Sequence, residues 1–253
     1  QEHAMSILFV CGSSGSLLPR GASAAGLRRA VQPRHEGLAS TCTFEEHAMM
    51  KAIGGALASG YGEITEPGFA KLGRQLRLGR DDVFVDCGSG TGRVVRQAAR
   101  EFGAARSYGV EFAASRHAEA VASLEHGGGD DAVVLLQGDC AELTRWAPGG
   151  ELSACTCAYA NNKLFDERLN RCLKECFESC PSIQRVAAFT PWPQGLEGFV
   201  EPEVVRCETS WSSEGQHANL GFDLGAKAAG SPVYIYRRRA ALLPAWWGGQ
   251  EEG

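Results

Sequence analysis

The stretch Asp86-Cys87-Gly88-Ser89-Gly90-Thr91-Gly92 joins one carboxylate to a glycine at every second position. Residues 83–86 are β-prone and end in that carboxylate, and a helical pattern starts at Gly92. The spacing predicts a strand, a tight turn pressed against a ligand, and a helix whose free N–H groups face that ligand. Asp86 at the strand tip accepts from an amine or a hydroxyl. The dinucleotide fingerprint is not met, because the third glycine arrives one place early and Arg93 fills the later slot. No G-K-[ST] follows, which excludes a P-loop. A carboxylate here suits an ammonium or a diol better than a phosphate.

Three more polar residues fall at predicted strand ends: Glu111, Asp139 and Asn161. Glu111 lies about 20 residues past the turn, where an acid accepts from both ribose hydroxyls in nucleotide-binding α/β folds. Four polar tips on successive strands are hard to explain as core packing. Each also has a local reading. Asp86 can cap the turn, Glu111 can be a solvated strand end, Asp139 can cap a helix, and Asn161-Asn162 can form an Asx turn. Tyr61 in its glycine-rich loop can be a packing anchor.

The elements that must position these residues follow from periodicity. Residues 43–58 read as a helix, 60–65 as a loop, and a second helix starts near Pro67 with Phe69, Leu72, Leu76 and Leu78 on one side. Strands are expected at 83–86, 107–111, 133–136, 152–159 and 183–190. Helices at 92–102, 113–126 and 166–180 separate them. The near-continuous apolar run 152–159 suits a central strand buried on both faces. Residues 204–211 and 233–237 read as final strands and a candidate antiparallel pair. Such alternation implies a doubly wound parallel sheet with its ligand at the carboxyl ends of the strands.

The chain has 253 residues and a net charge of −5, so no global basic field points to a polyanion. No window reaches the about 18 apolar residues of a spanning helix. The ten cysteines cluster on predicted strands and one helix and read as reduced thiols of an intracellular protein. Cys172, Cys176 and Cys180 share a helix face with Leu169 and Leu173, which favours an apolar face over a metal site. Arg237-Arg238-Arg239 reads first as a solvated strand end and second as a nucleic-acid contact. Residues 5–35 lack acids and carry Arg20, Arg28, Arg29 and Arg34, a composition shared by disordered leaders and organelle transit peptides.

The turn resembles motif I of the seven-stranded methyltransferases that use S-adenosylmethionine. Together with Tyr61-Gly62-Glu63, Tyr108-Gly109-Val110-Glu111, Gly138-Asp139 and Asn161-Asn162 with Phe165, it resembles the non-SET histone-lysine methyltransferases, the disruptor-of-telomeric-silencing type, over about residues 61–189. The resemblance implies a seven-stranded Rossmann-like methyltransferase sheet with a short N-terminal helical segment. It implies that Tyr61, Asn161 and Asn162 stand at the methyl-transfer point. It further implies a cofactor set of Tyr61, Glu63, Thr65, Asp86, Gly88, Ser89, Gly90, Gly92, Arg93, Glu111, Asp139, Cys140 and Asn161, with no metal. The acceptor is then a protein lysine, on a histone or nucleosome, and the compartment is the nucleus, with a mitochondrion or plastid as the alternative from the leader.

Four residues depart from the family pattern: Ile64 for Thr, Arg93 for an amide, Cys140 for an aromatic, and Lys163 for an aromatic after Asn-Asn. Two other readings stay open: a methyltransferase for a non-histone protein lysine, from the transit-like leader and the acidic balance, and a cofactor-binding module without activity, from Ile64, Cys140 and Lys163. The expected organisation is a disordered or targeting-like leader over 1–40 and a helical lead-in with a cofactor-covering loop over 41–80. The methyltransferase domain then spans 81–240, with a tail at 241–253.

Overall fold

The computed structural model describes residues 42–57, 60, 62–211 and 230–239. The leader, Tyr61 and the tail lie outside the described residues. Helix α1 (Phe44–Gly54) begins at Thr43, whose hydroxyl accepts from the Glu46 N–H while the Glu46 carboxylate accepts from the Thr43 N–H. This reciprocal cap satisfies two orphan donors. The Glu46 carboxylate also accepts from the Ser115 N–H and hydroxyl, which ties α1 to the start of α4 (Ala114–His126).

Helix α2 (Glu66–Leu76) starts at the Thr65 cap with Pro67 in its first turn, where a missing N–H costs nothing. It ends at Arg77, held at φ 55°, so Leu78 packs from beyond the helix.

The sheet comprises β1 (Val83–Cys87), β2 (Arg106–Glu111), β3 (Val133–Gln137), β4 (Cys157–Ala160), β5 (Arg185–Ala188), β6 (Glu203–Cys207) and β7 (Ser231–Arg237). Their order is β3-β2-β1-β4-β5-β7-β6, parallel through β5 and antiparallel for the last two. The fold is thus the expected seven-stranded, doubly wound one, and β6 and β7 form the expected antiparallel pair. Strand order reverses between β1 and β4, which opens a crevice at their carboxyl ends.

Alternation along β1 and β4 serves both faces. Phe84, Cys157 and Tyr159 pack with α2 and α3 (Arg93–Phe102), while Val85, Ala158 and Ala160 pack with α6 (Glu167–Ser179). Phe69 of α2 sits edge-on to Phe84, Phe102 and Tyr159, with ring centroids 5.7–6.1 Å apart.

The structure corrects one expectation, adds an element and refines a third reading. The apolar run 152–159 is not one strand, for β4 covers only its end. Leu152 and Cys155 are fully buried, but they lie in a turn closed by Leu152 N–H to Arg145 C=O and Cys155 N–H to Leu152 C=O. An apolar run reports burial, and a buried turn gives the same signal. The preceding residues also form a short helix, α5 (Leu143–Trp146), which the sequence did not announce; its Trp146 is buried edge-on to Phe177. The arginine run ends β7 with Arg239 exposed, as a solvated strand end requires, and its side chains also reach carbonyls of the fold. Arg238 donates to the carbonyls of Ile183, Phe177 and Cys180 and lies 4.5 Å from the Phe199 ring centroid. Arg237 donates to Gln75 C=O and Arg239 to Phe199 C=O.

The nine described cysteines are free, and Cys176 joins Leu169, Leu173 and Phe177 on the buried face of α6. Among the described residues no helix is long and apolar enough to cross a membrane.

Helix α2 touches the end of β6 closely. A Cβ at Gly68 would stand 2.1 Å from the Glu208 carbonyl oxygen. In an open helix Gly→Ala gains about 1 kcal/mol. Here Gly68→Ala is expected to lose about 1–3 kcal/mol through overpacking, read from the denaturant midpoint at constant slope. A gain in stability would show that this contact is looser than described.

Candidate active site

A cavity of about 400 Å³ opens at the carboxyl ends of β1 to β4, within the range of small-molecule sites. Of the residues singled out in the sequence, Gly88, Gly90, Glu111, Asp139, Cys140 and Asn161 line it. The glycine turn takes the conformation that its spacing predicts, with φ at 87°, 54° and 72° for Gly88, Gly90 and Gly92. Val110 C=O accepts from the N–H groups of Gly88 and Ser89, which fixes the turn against β2. A Cβ on Gly88 would meet nothing nearer than Phe165 at 3.5 Å, so this backbone borders the open cavity directly.

Glu111 is 4 % exposed, and its two oxygens accept from the N–H groups of Gly90 (2.8 Å) and Ala113 (2.9 Å). Those bonds hold the carboxylate at the cavity edge and leave lone pairs for a ligand. Asp139 accepts from the Ala141 N–H at 2.8 Å, which makes it an Asx turn rather than the cap of α5, whose cap position is Glu142. Asn161 donates from Nδ2 to Gly62 C=O at 2.6 Å, drawing loop 62–65 over the end of β4.

The other predicted residues stand behind this lining. Ser89 and Gly92 form the back of the turn, where Gly92 begins α3 and would place a Cβ 3.2 Å from Leu135. Thr65 caps α2, and its N–H and hydroxyl both donate to Glu208 C=O. Glu63 pairs with Arg93 at 3.1 Å, and Arg93 also donates to Ile64 C=O. Asn162 is fully buried, donating to Asn170 Oδ1 and Thr190 C=O and accepting from the Thr190 N–H. Its amide is committed to joining β4, α6 and the end of β5, so the structure gives it a framework position and not one at the cavity wall.

Asp86 lies beneath the turn, 3 % exposed. Burial, then the charges of Glu111 and Glu63, push its carboxyl up to about 8, with Arg93 opposing. A shift of this size favours the protonated carboxyl at neutral pH, and a cation placed beside it would act in the opposite sense.

Several lining residues escaped the sequence reading. Phe112 follows Glu111 directly, so an aromatic beside an acidic tip was the available signal. Arg116 is 4 % exposed on α4, and Met50 and Ile53 come from α1, where helical periodicity cannot separate a core face from a cavity wall. Trp211 comes from far along the chain. Its Nε1 donates to Ser231 Oγ at 2.8 Å, its ring stands 5.3 Å edge-on from Phe189, and a Cβ on Gly62 would come within 2.8 Å of it. Among the described residues no group of three His, Cys, Asp or Glu could hold a metal ion.

Comparison with known proteins gives one family. Residues 50–127 match the model of the histone methylation protein DOT1. That segment runs from α1 to the end of α4 and holds the glycine turn and Glu111. Over 62 residues the chain is 47 % identical to the histone-lysine N-methyltransferase, H3 lysine-79 specific, of two Cryptococcus neoformans var. neoformans serotype D strains. The aligned part is 24 % of this chain and 9 % of those proteins, so the chain spans a small part of their length. A solved Escherichia coli structure, the candidate methyltransferase yhhF, superposes with a TM-score of 0.50 at 12 % identity, over 70 % of this chain and 88 % of that one, and shares the fold. An RNA methyltransferase of Salinibacter ruber in complex with S-adenosyl-L-homocysteine aligns with a TM-score of 0.49 at 22 % identity, over 69 % and 92 %.

The Asp86 carboxyl gives a pH signature. An unfolded aspartate loses its proton near 3.8, whereas the buried one holds it to about 8. Between those values the native state binds more protons, so this contribution is full below the lower value and is lost as pH rises through the upper one. Asp86→Asn removes the titration, and its melting temperature should fall less than the wild type's from about pH 5 to about pH 9. Equal slopes would mean that Asp86 is already ionised at the lower pH.

Proposed function

We propose that this chain, with its DOT1-type segment on a methyltransferase sheet, is an S-adenosylmethionine-dependent protein-lysine methyltransferase acting on a histone. The observation that carries the reading is the cavity itself. Two carboxylate tips, Glu111 and Asp139, line it together with Asn161, Gly62, Trp211 and the backbone of Gly88 and Gly90. Asp86, buried and holding its proton, is a site that a cation completes. These residues fit a cofactor with an ammonium, a ribose diol, an adenine and no phosphates.

When bound, that cofactor supplies an electrophilic methyl on a sulfonium. The chain's own work is alignment and dryness. Glu111 would accept from the two ribose hydroxyls, keeping its bonds to the Gly90 and Ala113 N–H groups. Asp139 and Cys140 would flank the adenine, with Phe112 beside Glu111 offering the aromatic surface that Cys140 lacks. Asp86 would meet the ammonium. Asn161, bonded to Gly62 C=O, would hold loop 62–65 closed over the transfer point and turn its amide oxygen towards the acceptor amine. That amine must be neutral to attack, and desolvation inside the cavity, beyond the entrance, lowers its pKa without a strong base. Among the described residues no histidine lines the cavity.

A histone acceptor places the protein in the nucleus. A second reading, a lysine of another protein, is favoured by the fate of residues 237–239. All three arginines donate to carbonyls within the fold, which leaves less of this basic run for nucleosomal DNA, and the net charge of −5 adds no basic field.

Incubation with methyl-labelled cofactor and nucleosomes, free histones or a lysate tests both. Label on histone lysine supports the first reading, label on another protein the second, and no label on any protein overturns both. Within the site, Glu111→Ala should weaken cofactor binding by about 2 kcal/mol or more in calorimetry. Asn161→Ala should cut turnover more than cofactor affinity. Unchanged values would remove either residue from its role.

A further inference from the structure

We propose that Lys163 occupies the entrance for the acceptor side chain, resting on Trp211 as an internal competitor that an incoming lysine displaces. The inference rests on the lysine-methyltransferase reading above. Lys163 sits in the single 3-10 turn Asn162–Leu164 that follows β4, two positions beyond Asn161. Its Nζ stands 4.9 Å from the Trp211 ring centroid, and both residues line the cavity.

Among the described residues no carboxylate pairs with this ammonium, so the ring is the contact that places it. Trp211 is a fixed platform. Ser231 holds its indole N–H, Phe189 packs edge-on, and Gly62 lies against it with no side chain between. The Gly62 carbonyl is in turn held by Asn161, which puts platform and transfer point side by side.

An indole face at a cavity mouth attracts an alkylammonium from whichever chain supplies it. Lys163 and an acceptor lysine carry the same group on the same four-carbon stem. Like charges repel, so the two cannot share one ring. The apparent affinity for the acceptor therefore falls by the fraction of time that Lys163 holds the platform. A half-exposed cation–π contact of ~0.5–1 kcal/mol corresponds to an about two- to fivefold effect.

Lys163→Met keeps the stem and removes the charge, and Lys163→Arg keeps a cation on the ring. The Met variant should lower the acceptor KM about two- to fivefold, moving kcat less than KM, while the Arg variant keeps the wild-type KM or raises it. A second readout needs no turnover. Butylammonium is titrated against the Trp211 indole N–H signal in NMR, assigned with Trp211→Phe, and should half-saturate at an about two- to fivefold lower concentration in the Met variant. An acceptor KM that is unchanged or raised, with an unchanged butylammonium midpoint, overturns the proposal. A lowered midpoint in a chain that methylates no protein lysine supports the occupancy and overturns the lysine-methyltransferase reading instead.

Discussion

Three carboxylates, Glu63, Asp86 and Glu111, converge at the carboxyl end of β1 around one guanidinium, Arg93. Everything else in the site accommodates that excess of negative charge. Glu111 is offset by two backbone N–H groups from the turn and from the start of α4. Glu63 is offset by Arg93. Asp86 has neither, and it holds a proton instead. A buried acid without a partner is a standing cost to the fold, and such costs concentrate where a ligand removes them.

The sheet makes the convergence possible. Reversal of strand order between β1 and β4 leaves a gap that no crossover helix fills, and the turn after β1 opens into it. Loop 62–65 lies over that gap but is not held by its own helix alone. The Ser210 N–H donates to Glu63 C=O, the Thr65 N–H donates to Glu208 C=O, and Ile64 bridges to Thr209. Segments well over a hundred residues apart thus form one wall.

Legibility in the sequence followed the range of the interactions. The β1 turn was readable because its requirement is local: positive φ at alternate positions allows little but glycine. Glu111 was readable from its distance to that turn. Asn161 and Asn162 looked equivalent as neighbours, yet one faces the cavity and the other is consumed by Thr190 and Asn170, because a 3-10 turn points successive side chains in different directions. Trp211 left no local trace, since its position depends on β6 and β7 closing beside β5. The run ending at Tyr159 misled for a related reason: hydrophobicity marks what is buried, and the backbone path through the interior is set by partners elsewhere.

The contact of Thr65, Ile64 and Glu63 with residues 208–210 joins the pocket to the outermost strand of the sheet. Outer strands are the part of a sheet that frays first, since one side has no neighbour. A molecule that closes loop 62–65 therefore also zips the margin of the sheet, without touching β6. Affinity and local order at that margin are two faces of one equilibrium, and a change far out on β6 reaches the pocket through breathing rather than through shape.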